Sequence, residues 1–216
     1  MSIVYPKVGG IINATHLGSF AWASRPSATA HAGATIYVTN IGCGGGGSYW
    51  YSDGVRWRAK GGRVTLLSRT TNTATAAAAE EIMEQCSALP LAAWQTGDVL
   101  RLRSACQKSS NAATTTVRVR VGSLGTTGDT EAFSLAAPST TNTNAPNLIE
   151  LVRVNATTVR RCGQIAVSPY QQLTGTYPAD ITVTDLDTIA AYISLTYSNT
   201  GSETTTSKYC TMELIT

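Results

Sequence analysis

Charge is scarce in this sequence. Only 13% of the 216 residues are Asp, Glu, Lys or Arg, about half the share of roughly 25% usual for soluble domains. The net charge is +3 and no Lys/Arg block sharpens it, so nothing argues for a nucleic-acid partner. Histidine occurs twice, at His16 and His31, both in irregular N-terminal sequence, and no GxSxG elbow is present. A His-based nucleophilic triad is therefore not expected. The cysteines (Cys43, Cys86, Cys106, Cys162 and Cys210) are odd in number, widely spaced and without a CxxC pair. That pattern argues against a zinc site and a dense disulfide framework, and buried free thiols are expected. No run approaches the ~18 apolar residues of a membrane span. The opening MSIVYPKVGG has no basic region followed by an apolar run, so no signal peptide and no membrane insertion are expected, with synthesis in the cytoplasm.

What is present is alternation. Val99-Leu100-Arg101-Leu102-Arg103 and Thr116-Val117-Arg118-Val119-Arg120-Val121 each follow a period of two, which places the aliphatic residues on one face of a strand and the arginines on the other. A helix would smear both sets around its circumference. The polar stretch between them suits either a long hairpin or a switch between two sheets. Further strands are expected at Ala132 to Leu135, Leu148 to Val154, Thr157 to Ile165, Asp180 to Thr184, Ala190 to Tyr197 and Lys208 to Thr216, separated by turn-forming sequence. Seven or eight strands in about 125 residues, with no long helical period, predict an antiparallel sandwich, and loops of uneven length favour a jelly roll.

The first 70 residues read as a smaller unit. Gly33 to Asn40 is a strand by its β-branched and aromatic content. Ser48 to Arg58 is a pair of aromatic strands about Asp53-Gly54, a strong hairpin signal because glycine accepts the positive φ of such a turn. Gly61-Gly62 leads to a further strand, Arg63 to Leu67. The fold expected is all-β: a small N-terminal β-meander module over 1–70, a low-complexity linker over 71–88 with a helical turn near Ala76 to Glu81, and a jelly-roll β-sandwich over 89–216.

Candidate sites are few. Trp50, Tyr51 and Trp57 could stack on a sugar or form the core of a unit too small to be stable otherwise. Arg101, Arg103, Arg118 and Arg120 form a stripe that could face solvent, a neighbouring subunit, an acidic protein or a polyanion. Asp180, Asp185 and Asp187 cluster in sequence, but they lack the partners of a glycosidase or a calcium loop and read as turn residues. No catalytic residue, cofactor or metal is expected.

The order of these parts carries a resemblance. GATIYVTNIG, a glycine-rich turn, the YSDGVRWR hairpin and RVTLL resemble a small β-module of tailed-bacteriophage virion proteins. GDVLRLR, TTTVRVRVGSLGTTGD and ITVTDLD with YISLTY resemble the jelly-roll domains of phage decoration, head-fibre and tail-fibre proteins. The resemblance implies a non-enzymatic virion surface protein, a homotrimer held to the major capsid protein or a tail protein. Because no stalk repeat is present, a capsid-decorating role anchored by the N-terminal unit is expected first. A short tail-associated adhesin that touches a host surface through loops 138–146 and 168–178 comes second. A carbohydrate-binding β-sandwich using Trp50 and Trp57 on a glycan comes third.

Overall fold

The computed structural model describes residues 15–42, 46–70, 73–75, 79–109, 114–137, 145–166, 180–201 and 204–216. All regular structure longer than one turn in these residues is β-strand, in one small sheet and two larger ones.

The small sheet holds β1 (His16–Phe20), β2 (Thr35–Val38), β3 (Ser48–Ser52) and β4 (Trp57–Ala59), in that order. β2, β3 and β4 form the expected meander, whereas β1 runs parallel to β2. A parallel neighbour needs a crossover of about a dozen residues. Segment 21–34 provides it, with short 3-10 turns at Trp22–Ser24 and Thr29–His31. Period two then sorts the aromatic residues. Trp50 and Trp57 point inward, with Trp50 fully buried and its ring 4.9 Å from that of Trp22, while Tyr49 and Tyr51 point outward.

The sandwich begins earlier than the sequence suggests. β5 (Arg63–Arg69), expected to close the first unit, pairs instead with β15 (Thr205–Ile215). Two glycines at positive φ, Gly61 and Gly62, turn the chain out of the small sheet, and Val64 and Leu66 then enter the sandwich interior. β6 (Thr73–Thr75) continues along the same neighbour. The stretch expected to be a linker also contributes β7 (Glu81–Gln85), an edge strand, so strands from within 71–88 join both sheets. The helical turn expected near 76–81 falls partly outside the described residues, and Glu81 is in a strand.

β8 (Val99–Lys108) and β9 (Thr115–Gly122) lie in different sheets, so the stretch between them is a switch rather than a hairpin. The remaining strands are β10 (Thr130–Ala137), β11 (Ala145–Asn155), β12 (Thr158–Ala166), β13 (Asp180–Thr182) and β14 (Tyr192–Asn199). One sheet runs β13-β12-β11-β8-β15-β5 and the other β10-β9-β14-β7, with every pair antiparallel. Leu100, Leu102, Met212 and Leu214 from the first sheet and Val117, Val119, Val121, Ile193 and Leu195 from the second belong to one buried cluster.

That cluster continues into the small sheet, and hydrogen bonds seal the junction. Trp22 Nε1 donates to Leu91 O at 2.9 Å, Gln95 Nε2 to Trp57 O at 2.9 Å and Ala59 N to Thr216 Oγ1 at 2.8 Å. The turn at 91–98, which accepts the first of these bonds and donates the second, is held from below by Arg153. Its guanidinium, 2% exposed, donates to Trp94 O and to Asn155 O (3.0 Å) and pairs with Asp187 at 2.7 Å.

Candidate functional site

Among the described residues, the outward face of the small sheet is the most open aromatic surface. Thr35 and Tyr37 on β2, Tyr49 and Tyr51 on β3 and Arg58 on β4 share it through direct cross-strand register. The Tyr37 and Tyr49 rings meet edge to face at 4.9 Å, and the His16 ring lies 6.1 Å from Tyr49. Five large apolar side chains are exposed among the described residues. Three of them, Tyr49 (55%), Tyr51 (37%) and Val55 (78%), belong to this unit.

One end of the face is fixed by the turn after β3. Asp53 Oδ1 accepts from the N–H groups of Val55 and Arg56, both at 2.8 Å, and Oδ2 accepts from Arg58 Nε at 2.5 Å, while Gly54 takes a φ of +90°. The Arg56 N–H, then Arg58 and the Val55 N–H, hold the Asp53 carboxyl down at about 2. A depressed folded-state pKa contributes stability above the ordinary carboxylate range and loses it as pH falls towards 2. An NMR titration of Asp53 is therefore expected to show a midpoint near that value. Arg58→Gln should raise the midpoint but leave it below normal, because both backbone donors stay in place. A midpoint unchanged in the variant would assign the whole effect to the backbone.

Of the residues singled out from sequence, Tyr51 belongs to this face and Trp50 and Trp57 do not. Both indoles are buried with their N–H groups spent, Trp50 on Ser48 Oγ and Trp57 on Pro26 O, each at 2.8 Å. Neither can stack on a sugar. Tyr37 and Tyr49 were missed, although the alternation in Ser48-Tyr49-Trp50-Tyr51-Ser52 separates tyrosines from tryptophan by the period-two rule used for the arginine strands.

The four arginines do not form one stripe. Because β8 and β9 lie in opposed sheets, Arg101 and Arg103 stand on one outer surface of the sandwich and Arg118 and Arg120 on the other. Most are engaged within the chain. Arg101 faces Glu150 directly across β8–β11, with Nε and Nη2 each 2.7 Å from Oε1. Arg120 grips both oxygens of Glu80 at 2.5 and 2.6 Å, and Arg118 reaches Glu131 at 3.0 Å and Ser198 Oγ at 2.8 Å. Arg103 is exposed.

No protein-family model matches the chain, and no curated protein matches it either.

Among the described residues, no three His, Cys, Asp or Glu gather as metal ligands, and no helix is long and apolar enough to cross a membrane. Asp180 pairs with Arg160 at 2.6 Å, Asp187 with Arg153, and Asp185 Oδ1 accepts the Asp187 N–H at 2.9 Å. These three carboxylates are tied to strand ends and turns. Cys86, Cys106 and Cys210 are buried free thiols, Cys162 is exposed, and Cys43 lies outside the described residues. Burial pushes the Cys86 and Cys106 thiols up to about 11, away from the thiolate that nucleophilic or metal chemistry needs.

Proposed function

We propose that this chain is a non-enzymatic structural protein of a tailed-phage virion surface, a homotrimer that decorates the capsid through its N-terminal unit. The observation that carries the reading is the open tyrosine face of the small sheet, presented by a unit whose opposite face is spent on the sandwich. Tyrosine is enriched at protein contacts because it supplies a large apolar area together with a polar tip.

The strand order supports the jelly-roll part of the reading. Leaving aside β6 and the β12–β13 extension, the strands form two sets of four, β5-β15-β8-β11 and β7-β14-β9-β10. Each chain connection crosses from one set to the other except β9–β10. Such wiring is what the double Greek key of a jelly roll would give, which supports that reading. The adhesin reading rests on loops 138–146 and 168–178, nearly all of which lie outside the described residues, and the carbohydrate reading loses both tryptophans.

Light scattering on the purified protein is expected to give about 68 kDa, three times the 22.7 kDa chain, as a closed cyclic trimer requires. The same protein mixed with undecorated phage heads should saturate them, and the double variant Tyr49→Ala, Tyr51→Ala should fail to bind while keeping its mass. A monomer that leaves heads bare would overturn the proposal.

A further inference from the structure

The junction between the small sheet and the sandwich holds Arg25, Arg56 and Arg153, and two of these have a carboxylate. Arg56 lies 3.1 Å from Asp98 and Arg153 2.7 Å from Asp187. Arg25 has none within ion-pairing distance among the described residues. Its guanidinium lies 3.7 Å over the Trp22 ring, and Nη1 donates to Trp22 O at 2.5 Å. These contacts fix the group in place and leave Nε and Nη2 without a partner among the described residues. Burial without a counter-charge pushes its pKa down, the direction in which an incoming anion would relieve it.

Arg25 lines an open cleft of about 300 Å³ together with Ser27, Val55, Arg56, Trp57 and Gln95. The walls are set by hydrogen bonds already made. Trp57 Nε1 is committed to Pro26 O, Gln95 Nε2 to Trp57 O, and Arg56 Nη1 to Thr96 O at 2.7 Å. The positive charge left over is therefore that of Arg25, with Arg56 beside it balanced by the fully buried Asp98. One net charge suits a monoanion. A phosphate dianion would need a second free cation and would face Asp98 through Arg56.

We propose that this cleft binds a small carboxylate ligand, with the carboxylate received by the free edge of the Arg25 guanidinium. A planar fork of donors matches a carboxylate better than a point charge does. The volume lies at the lower end for ligand pockets, which suits a single ring or a short acid rather than a polymer. Val55, 78% exposed at the rim, supplies an apolar wall, and the Ser27 hydroxyl and Gln95 side chain supply polar ones. The carboxylate could belong to a sugar acid or to a simple organic acid, and the two can be told apart.

The test is titration of the full chain with glucuronate, glucose, acetate and phosphate, read by calorimetry and by the fluorescence of Trp22 beneath Arg25. Glucuronate or acetate is expected to bind at least about tenfold more tightly than glucose, and the binding should weaken as salt is raised. Glucuronate tighter than acetate would identify a sugar acid, and equal affinities a simple carboxylate. Arg25→Gln should lose about tenfold or more in affinity. Val55→Trp, which fills the cleft from its exposed rim and keeps Arg25, should lose it as well, so a folding defect in one variant does not decide the matter. Glucose bound as well as glucuronate, phosphate bound more tightly than either acid, no binding of any acid, or full affinity in Arg25→Gln would each overturn the assignment.

Discussion

Replacing Trp50 with alanine is expected to lower stability by about 3–5 kcal/mol, the cost of emptying a buried indole site. The ring is fully buried against Trp22, and its N–H supports Ser48 Oγ, which in turn donates to Ile41 O at 2.5 Å. Thermal unfolding followed by circular dichroism should show a midpoint lower by roughly 10 °C, since about 1 kcal/mol moves a chain of this size by 2–4 °C. Tyr49→Ala, one residue away on the opposite face and 55% exposed, should cost less than about 1 kcal/mol. The two neighbours thus separate the fold from the surface. A Tyr49 variant as damaged as the Trp50 variant would mean that the tyrosine face is structural rather than a contact surface.

The second large effect concerns Glu80. Its carboxylate takes two bonds from Arg120, accepts the Thr196 hydroxyl and lies 3.8 Å from Arg118. Its side chain is 17% exposed and that of Arg120 14%. A pair so placed falls between an exposed ion pair worth under about 1 kcal/mol and a buried one whose breaking costs about 3–5 kcal/mol. Glu80→Ala is expected to cost about 2–3 kcal/mol on that scale, measured by urea denaturation. Arg120→Glu, which sets two carboxylates against each other, should cost more.

Desolvation raises the Glu80 pKa, but the bonds from Arg120 and Thr196 and the charges of Arg120 and Arg118 more than offset it, so the pKa is lowered overall. The stabilisation is therefore present above the ordinary carboxylate range and lost as pH falls through the lowered value. Glu80→Gln should flatten that acid dependence. If charge reversal at Arg118 and Arg120 instead left stability intact and broke assembly, these arginines would belong to a subunit interface.

Local pattern made faces legible and left partners hidden. The alternation in Leu100-Arg101-Leu102-Arg103 and Val117 to Val121 gave the correct inward and outward sets, and Asp53-Gly54 marked a turn that the structure contains. Strand positions from Leu148 to Thr216 were readable within a few residues for the same reason, since side-chain period and turn residues are local properties. Which strand lies beside which is not local. β5 joins β15, with partners 141 to 152 residues apart from Arg69–Cys210 to Arg63–Ile215, and nothing in Arg63 to Leu67 records that neighbour, so local pattern places the strand with the unit that precedes it. The Thr/Ala-rich stretch before Glu80 hid β7 because edge strands need few apolar residues. The tryptophans misled for a different reason: aromatic content suggested a binding surface, whereas the ring that lies on the surface is decided by parity along the strand.

β15 sits between β8 on one side and β5 with β6 on the other, so a long segment late in the chain fills a slot whose walls come from residues 63–108. Such distant pairing makes folding slow, because the intervening loops must close before the contacts repay the entropy. Until residues 205–215 arrive, β5 and β8 offer two unpaired edges to any matching strand. In a crowded pool of newly made copies the best match is the β15 of a neighbour. A slot of this kind, open until a distant strand arrives, is the general setting in which strands are exchanged between chains.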